Sequence, residues 1–122
     1  MKTKATIFLA LALLTLIAIL GSCTKKDDTT ITRQYYSATS GDTLKVNLGN
    51  FGIEEGATIS QAPVHAAVSK LEREINSAAI IYKYLPVQGF TGIETVGIIL
   101  NRGSNGASAG KDETLLISIT VK

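Results

Sequence analysis

Residues 5–20 (ATIFLALALLTLIAIL) include fourteen apolar side chains, and this run divides the chain into a leader and a remainder that must fold without it. At about 1.5 Å per residue a helix of that length reaches about 24 Å, short of a ~30 Å hydrocarbon core. With Lys2 and Lys4 just ahead of it, the run has the form of a signal peptide's apolar region. About 100 residues remain, enough for one domain and too few for several. Cys23 is the single cysteine, so no intramolecular disulfide can form and a packed core must hold the domain alone.

The same division accounts for the charge. Lys2 and Lys4 carry the whole formal net charge of +2, and from Cys23 onward ten basic side chains match ten acidic ones. A neutral domain gives no reason to expect nucleic acid or an anionic surface as partner.

The apolar run ends in Leu20-Gly21-Ser22-Cys23, which resembles the lipobox of bacterial lipoproteins. The peptidase of that family accommodates an apolar anchor three residues before the cysteine and two small side chains beside the cleaved bond. The resemblance implies removal of residues 1–22, a diacylglycerol on the Cys23 thiol and acylation of the new amine. Several acyl chains on one residue anchor stably, since each buried methylene contributes about 0.8 kcal/mol. This covalent lipid is the only added group expected, with no cofactor and no small-molecule partner.

Thr24 and the residues after it, as far as Thr30, include four charged side chains and no apolar one, so residues 23–30 are expected to form a lipidated, flexible tether. Lys26-Asp27-Asp28 is similar to the short acidic export signal of Bacteroidota surface lipoproteins, which implies display on the cell surface. A plain spacer leaves a periplasm-facing anchor as the alternative. Thr24 is not the aspartate that retains enteric lipoproteins at the inner membrane, so the resemblance points to the outer membrane.

Residues 31–122 make up the folded part. Leu44-Lys45-Val46-Asn47-Leu48 alternates strictly between apolar and polar, the period of a half-buried strand, and Ser40-Gly41-Asp42 before it is a turn. Near the C-terminus, alternation puts Leu115, Ile117, Ile119 and Val121 on one face. Residues 78–85 (AAIIYKYL) and 93–100 (IETVGIIL) hold the β-branched and aromatic side chains that strands favour. The Gly-, Ser- and Asn-rich segment 101–113 between the last two strands suits a flexible hairpin loop. It is not a phosphate cradle, because a strand and not a helix follows it. One segment fits two periods. Val64, Val68, Leu71 and Ile75 recur at helical spacing behind Pro63, with Asn76 as a stop, whereas Val64, Ala66 and Val68 also fit a strand.

The stretch Tyr84-Leu85-Pro86-Val87-Gln88-Gly89-Phe90-Thr91-Gly92-Ile93-Glu94 resembles the Tyr-x-Pro-x-x-Gly-Phe-x-Gly-x-(Asp/Glu) signature of bacterial cadherin-like and immunoglobulin-like domains. That resemblance implies an all-β, antiparallel sandwich of about seven strands. Tyr84 ends a strand that Pro86 stops, Phe90 plugs one end of the core between Gly89 and Gly92, and Glu94 opens the next strand. Upstream, residues 62–69 (APVHAAVS) are similar to the family's extended Pro-x-x-Gly-Thr-Val stretch, with Ala66 in place of the glycine. On this ground Val64–Leu71 is expected to be a strand. Phe90 is expected to be buried beneath Tyr82 or Tyr84, one of which belongs to the core.

Little chemistry is available. His65 is the sole imidazole, no glycine elbow surrounds a serine, and Cys23 is committed to lipid, so no catalytic arrangement is expected. No imidazole–thiolate metal set exists, and no Asp-x-Asp-x-Asp-Gly run suggests calcium. Asp42, Glu94 and Asp112 share a cation only if the fold gathers them. Tyr35 and Tyr36 point to opposite faces of a strand, which leaves one free to stack on a sugar. The expectation is a non-catalytic outer-membrane lipoprotein that serves as a binding, adhesion or structural module for a protein or glycan ligand. The alternatives are an accessory glycan-binding lipoprotein of a polysaccharide-uptake system and an enzyme inhibitor.

Overall fold

A computed structural model describes residues 29–103 and 110–122. The leader 1–22, Cys23 and the Lys26-Asp27-Asp28 segment lie outside the described residues, as does most of the Gly-rich segment before the last strand. Seven strands form two sheets: β1 (Thr30–Ala38), β2 (Leu44–Asn50), β3 (Gly56–Gln61), β4 (Ala66–Arg73), β5 (Ala79–Pro86), β6 (Gly92–Arg102) and β7 (Lys111–Val121). One sheet has the order β1-β7-β6-β3, the other β2-β5-β4. The chain is thus all-β, with no helix among the described residues.

Period-two faces build the core. Val46 and Leu48 of β2, Val96, Ile98 and Leu100 of β6, and Leu115, Ile117, Ile119 and Val121 of β7 are all buried. Each such side chain contributes roughly 1.5–3 kcal/mol by leaving water, and no disulfide assists them. From β5 both Tyr82 and Tyr84 are fully buried, so the core takes two tyrosines where one was expected. Ser69 of β4 makes this tolerable for Tyr82 by sharing a 2.9 Å hydrogen bond with its hydroxyl.

Two expectations need correction. The sandwich is not wholly antiparallel, because β1 runs parallel to β7, with Thr30 opposite Glu113 and Ala38 opposite Val121. A parallel neighbour cannot follow from a tight hairpin, and here the whole remaining chain separates the two strands. The expected strand Val64–Leu71 exists as β4 but is shifted to Ala66–Arg73. Helical spacing fails because the four residues that suggested it part company. Val64 and Ile75 are exposed in the links that flank β4, while Leu71 packs against the core. An irregularity between Ala66 and Val68 then brings Ser69 and Leu71 opposite Tyr84 and Tyr82.

The strand registers define two ends. The proximal end, where the chain enters at Thr30, holds the links 51–55 and 74–78 and the β6–β7 connection. The distal end holds the links 39–43, 62–65 and 87–91 and Lys122, whose amide donates to the Ala38 carbonyl.

Candidate functional site

At the distal end β3 stops opposite the middle of β6, and residues 62–65 cross from one sheet to the other. Crossing takes the amides of Val64 and His65 out of both ladders. Glu94 supplies what they lack: the Val64 amide donates to Oε2 at 2.9 Å and the His65 amide to Oε1 at 2.7 Å. The same Oε1 lies 2.6 Å from His65 Nδ1. Glu94 is in phase with Val96 and Ile98, pointing inward, and only 4% of it is exposed. Burial pushes its carboxyl pKa up, but the two amides and the imidazole outweigh that and hold it below the ordinary value.

The signature stretch builds the other side of this corner. Gly89 and Gly92 have φ of +81° and +142°, which let residues 87–92 wrap tightly enough for the Phe90 amide to donate to the Val87 carbonyl at 3.1 Å. The Phe90 ring lies parallel to the His65 ring, 4.2 Å between centroids. The His65 carbonyl accepts from the Val87 amide at 3.1 Å and from the Tyr84 hydroxyl at 3.3 Å. Burial, then the Glu94 and Tyr82 charges, push the Tyr84 phenol up to about 12. Pro86 ends β5 opposite Ala66. Tyr84, Pro86, Gly89, Phe90, Gly92 and Glu94 are therefore gathered around residues 64–65. Phe90 is half-buried, with His65 as its stacking partner, and not covered by either tyrosine as expected.

A carboxylate holding an imidazole by Nδ1 orients the ring and fixes its tautomer. Half of the His65 side chain is exposed, and among the described residues no hydroxyl bonds to it. Nor do the described residues contain a cluster of three or more His, Asp or Glu suited to a metal ion. Asp42 belongs to the distal end, but Asp112 accepts from Asn101 Nδ2 at 2.7 Å at the proximal end, so the fold does not unite them with Glu94. Around the corner, Val64 (83% exposed), Val87 and Ile93 present apolar surface. Tyr35 is exposed on β1, whereas Tyr36 is half-buried with its hydroxyl on Gln34.

The proximal end is cross-tied. Arg102 stands 4.0 Å over the buried Phe51 ring and donates to the carbonyls of Asn50, at 3.0 Å, and Leu48. Arg73 donates to the carbonyls of Phe51 and Glu55, each at 3.0 Å. Glu55 accepts from the amides of Gly52 and Gly103. Clefts beside Arg102 measure about 220 and 230 Å³, below the ~300–1,000 Å³ of usual small-molecule sites.

Sequence reasoning missed the pairing of His65 with Glu94, 29 residues apart. One signal for it exists: Glu94 is the only charge in an otherwise apolar strand, on the inward phase, so a partner is demanded. The apolar tips Ile53 and Ile75 at the proximal end gave no such signal.

No family profile and no curated protein matches the sequence. Solved structures do. PbICP-C, in complex with falcipain-2, is 12% identical over 79% of this chain and 92% of its own, with a TM-score of 0.50. The endo-fucoidan hydrolase MfFcnA4 from glycoside hydrolase family 107 is 10% identical over 77% of this chain, with a TM-score of 0.48. This chain spans 13% of that hydrolase's length. The cysteine protease inhibitor EhICP2 from Entamoeba histolytica is 11% identical over 77% of this chain and 95% of its own, with a TM-score of 0.45. The likeness is one of fold alone.

Proposed function

We propose that the protein is a lipid-anchored, non-catalytic binding module of the outer membrane. Its sandwich is of immunoglobulin-like or cadherin-like type, and its distal end is the contact surface for a protein or glycan. One observation carries the reading. The chain enters the sandwich at Thr30, a few residues after the lipobox cysteine Cys23, so the opposite end points away from the membrane. That end presents Val64, Val87 and Ile93 around the stacked His65 and Phe90. Lys26-Asp27-Asp28 directs the module to the cell surface.

Two measurements test this. Cys23→Ser loses detergent-phase partitioning, and a variant that partitions like the wild type refutes the anchor. A photo-reactive group at position 93 of the full-length protein on intact cells labels an envelope component, and Val64→Ser with Val87→Ser abolishes the labelling. Labelling that the two substitutions leave unchanged refutes the distal surface. Enzyme inhibition is the second reading, favoured because PbICP-C, most of whose length shares the fold, was captured in complex with falcipain-2. Stoichiometric inhibition of an enzyme by the full-length protein, lost on changes at neither end but only with unfolding, would replace the first reading.

A further inference from the structure

We propose that the proximal end is a second membrane contact, in which Ile53 and Ile75 sit in the interface of the bilayer that holds the Cys23 lipid. The inference rests on the lipid-anchor reading and adds an orientation to it. Ile53 is fully exposed at the tip of the link between β2 and β3, and Ile75 is 90% exposed at the tip of the hairpin between β4 and β5. Both links belong to the end where Thr30 begins β1, as the pairings Thr30–Glu113, Asn101–Gly56 and Asn50–Ala79 require.

The covalent path leaves this end no distant option. Six residues, Thr24 to Thr29, separate Cys23 from Thr30, and an extended chain covers at most about 3.6 Å per residue, or about 25 Å in all from Cys23 to Thr30. The eleven-residue strands β6 and β7 are longer than that, about 36 Å at 3.3 Å per residue. The proximal end is thus always near the headgroups, whatever the tether does, and the distal end is not.

The two tips are also held ready. Arg73, at the end of β4 and two residues before Ile75, bonds to the carbonyls of Phe51, Gly52 and Glu55 on either side of Ile53. The Glu55 carboxylate closes the Ile53 turn on the Gly52 amide at 2.7 Å, and Asn76 turns the second link with a φ of +64°. Little conformational freedom remains to be lost when the tips dock. Two isoleucines are too few to hold a free protein on lipid. The anchor makes their docking intramolecular, at a high effective concentration.

Glu54 and Glu74 are exposed next to the two tips, which favours a zwitterionic surface over a densely anionic one. The lipidated full-length protein is therefore placed in phosphatidylcholine vesicles, with an environment-sensitive fluorophore on Ile53→Cys, Ile75→Cys, Val64→Cys or Ile93→Cys. Cys23 is a thioether in the lipidated protein and does not react with the label. Probes at 53 and 75 should shift to the blue and be quenched by nitroxide lipids at a depth of about 5–10 Å, the depth of interfacial apolar side chains. Probes at 64 and 93 should not, and phosphatidylglycerol should weaken the response. Vesicle-bound protein with unquenched 53 and 75 probes, or with equal quenching at both ends, overturns the docking and leaves the anchor standing. Protein that fails to float with the vesicles overturns the anchor and the docking with it.

Discussion

Glu94 Oε1 and His65 Nδ1 lie 2.6 Å apart, and that same oxygen accepts the His65 backbone amide at 2.7 Å. One carboxylate therefore pins both the main chain and the side chain of the residue at which the chain changes sheets. The stacked Phe90 ring covers the imidazole from its face. The corner has the construction of a structural clasp that leaves an oriented, half-exposed ring on the distal surface.

Acid should loosen this clasp. The Glu94 pKa is lower in the fold than the ordinary 4.5, so in the window between the two values the unfolded chain binds more protons. Stability contributed by Glu94 is complete above the ordinary value and is lost as pH falls through the folded one. Glu94→Gln keeps the shape but loses charge-assisted bonds, which should cost about 1.5–3 kcal/mol at neutral pH. Denaturant titrations at neutral and acidic pH should show a shallower acid loss in the variant than in the wild type. Parallel curves would separate Glu94 from acid stability.

Alkali should act through Tyr84. Its phenol titrates in the fold at about 12, against an ordinary 10, so above 10 the unfolded state loses its proton first. Stability must then fall between those two values. Tyr84→Phe should cost about 0.5–1.5 kcal/mol at neutral pH through the lost bond to the His65 carbonyl and should reduce the alkaline loss. Some loss persists because burial raises the Tyr82 phenol as well. Thermal melts across this pH range, followed by circular dichroism, measure the effect.

Arg102 is placed to tie β6 to the end of β2 through a planar fork, two carbonyls and the Phe51 ring. Arg102→Lys keeps the charge and loses the fork, and should destabilise by about 1.5–3 kcal/mol. Hydrogen exchange should quicken around residues 48–51 before it does near β4. A lysine variant of wild-type stability would show that charge alone suffices there.

Gly92 and Phe90 should be coupled. A Cβ on residue 92 would meet Phe90 Cζ at 3.2 Å, at a φ of +142°. Gly92→Ala should cost about 1–3 kcal/mol in strain. Phe90→Ala should cost about 1–2 kcal/mol, because half-burial and one stacked ring are at stake and not a full core site. The double variant should cost less than the sum, since removing the ring leaves only the backbone strain. Strict additivity in a double-mutant cycle would mean that the ring does not limit residue 92.

The sequence by itself determined what is local. Side chains in a strand alternate whatever the strand pairs with, so Val46 with Leu48, and Leu115 with Ile117, Ile119 and Val121, were legible as buried faces before any sheet was known. The Tyr84–Glu94 pattern likewise marked the residues that assemble at one corner, because its glycines and proline constrain the backbone directly. Pairing is not local, and what depended on it was hidden. Residues 66–73 became a strand because β5 offered them a ladder, although Val64, Val68, Leu71 and Ile75 fit a helix. β1 lies parallel to the last strand of the chain, a relationship across some eighty residues that no window of sequence contains. The partner of Glu94 and the common end of Ile53, Ile75 and Thr30 were decided in the same way. Each follows from which strands lie side by side and in which direction, and that is settled only when two sheets close over one core.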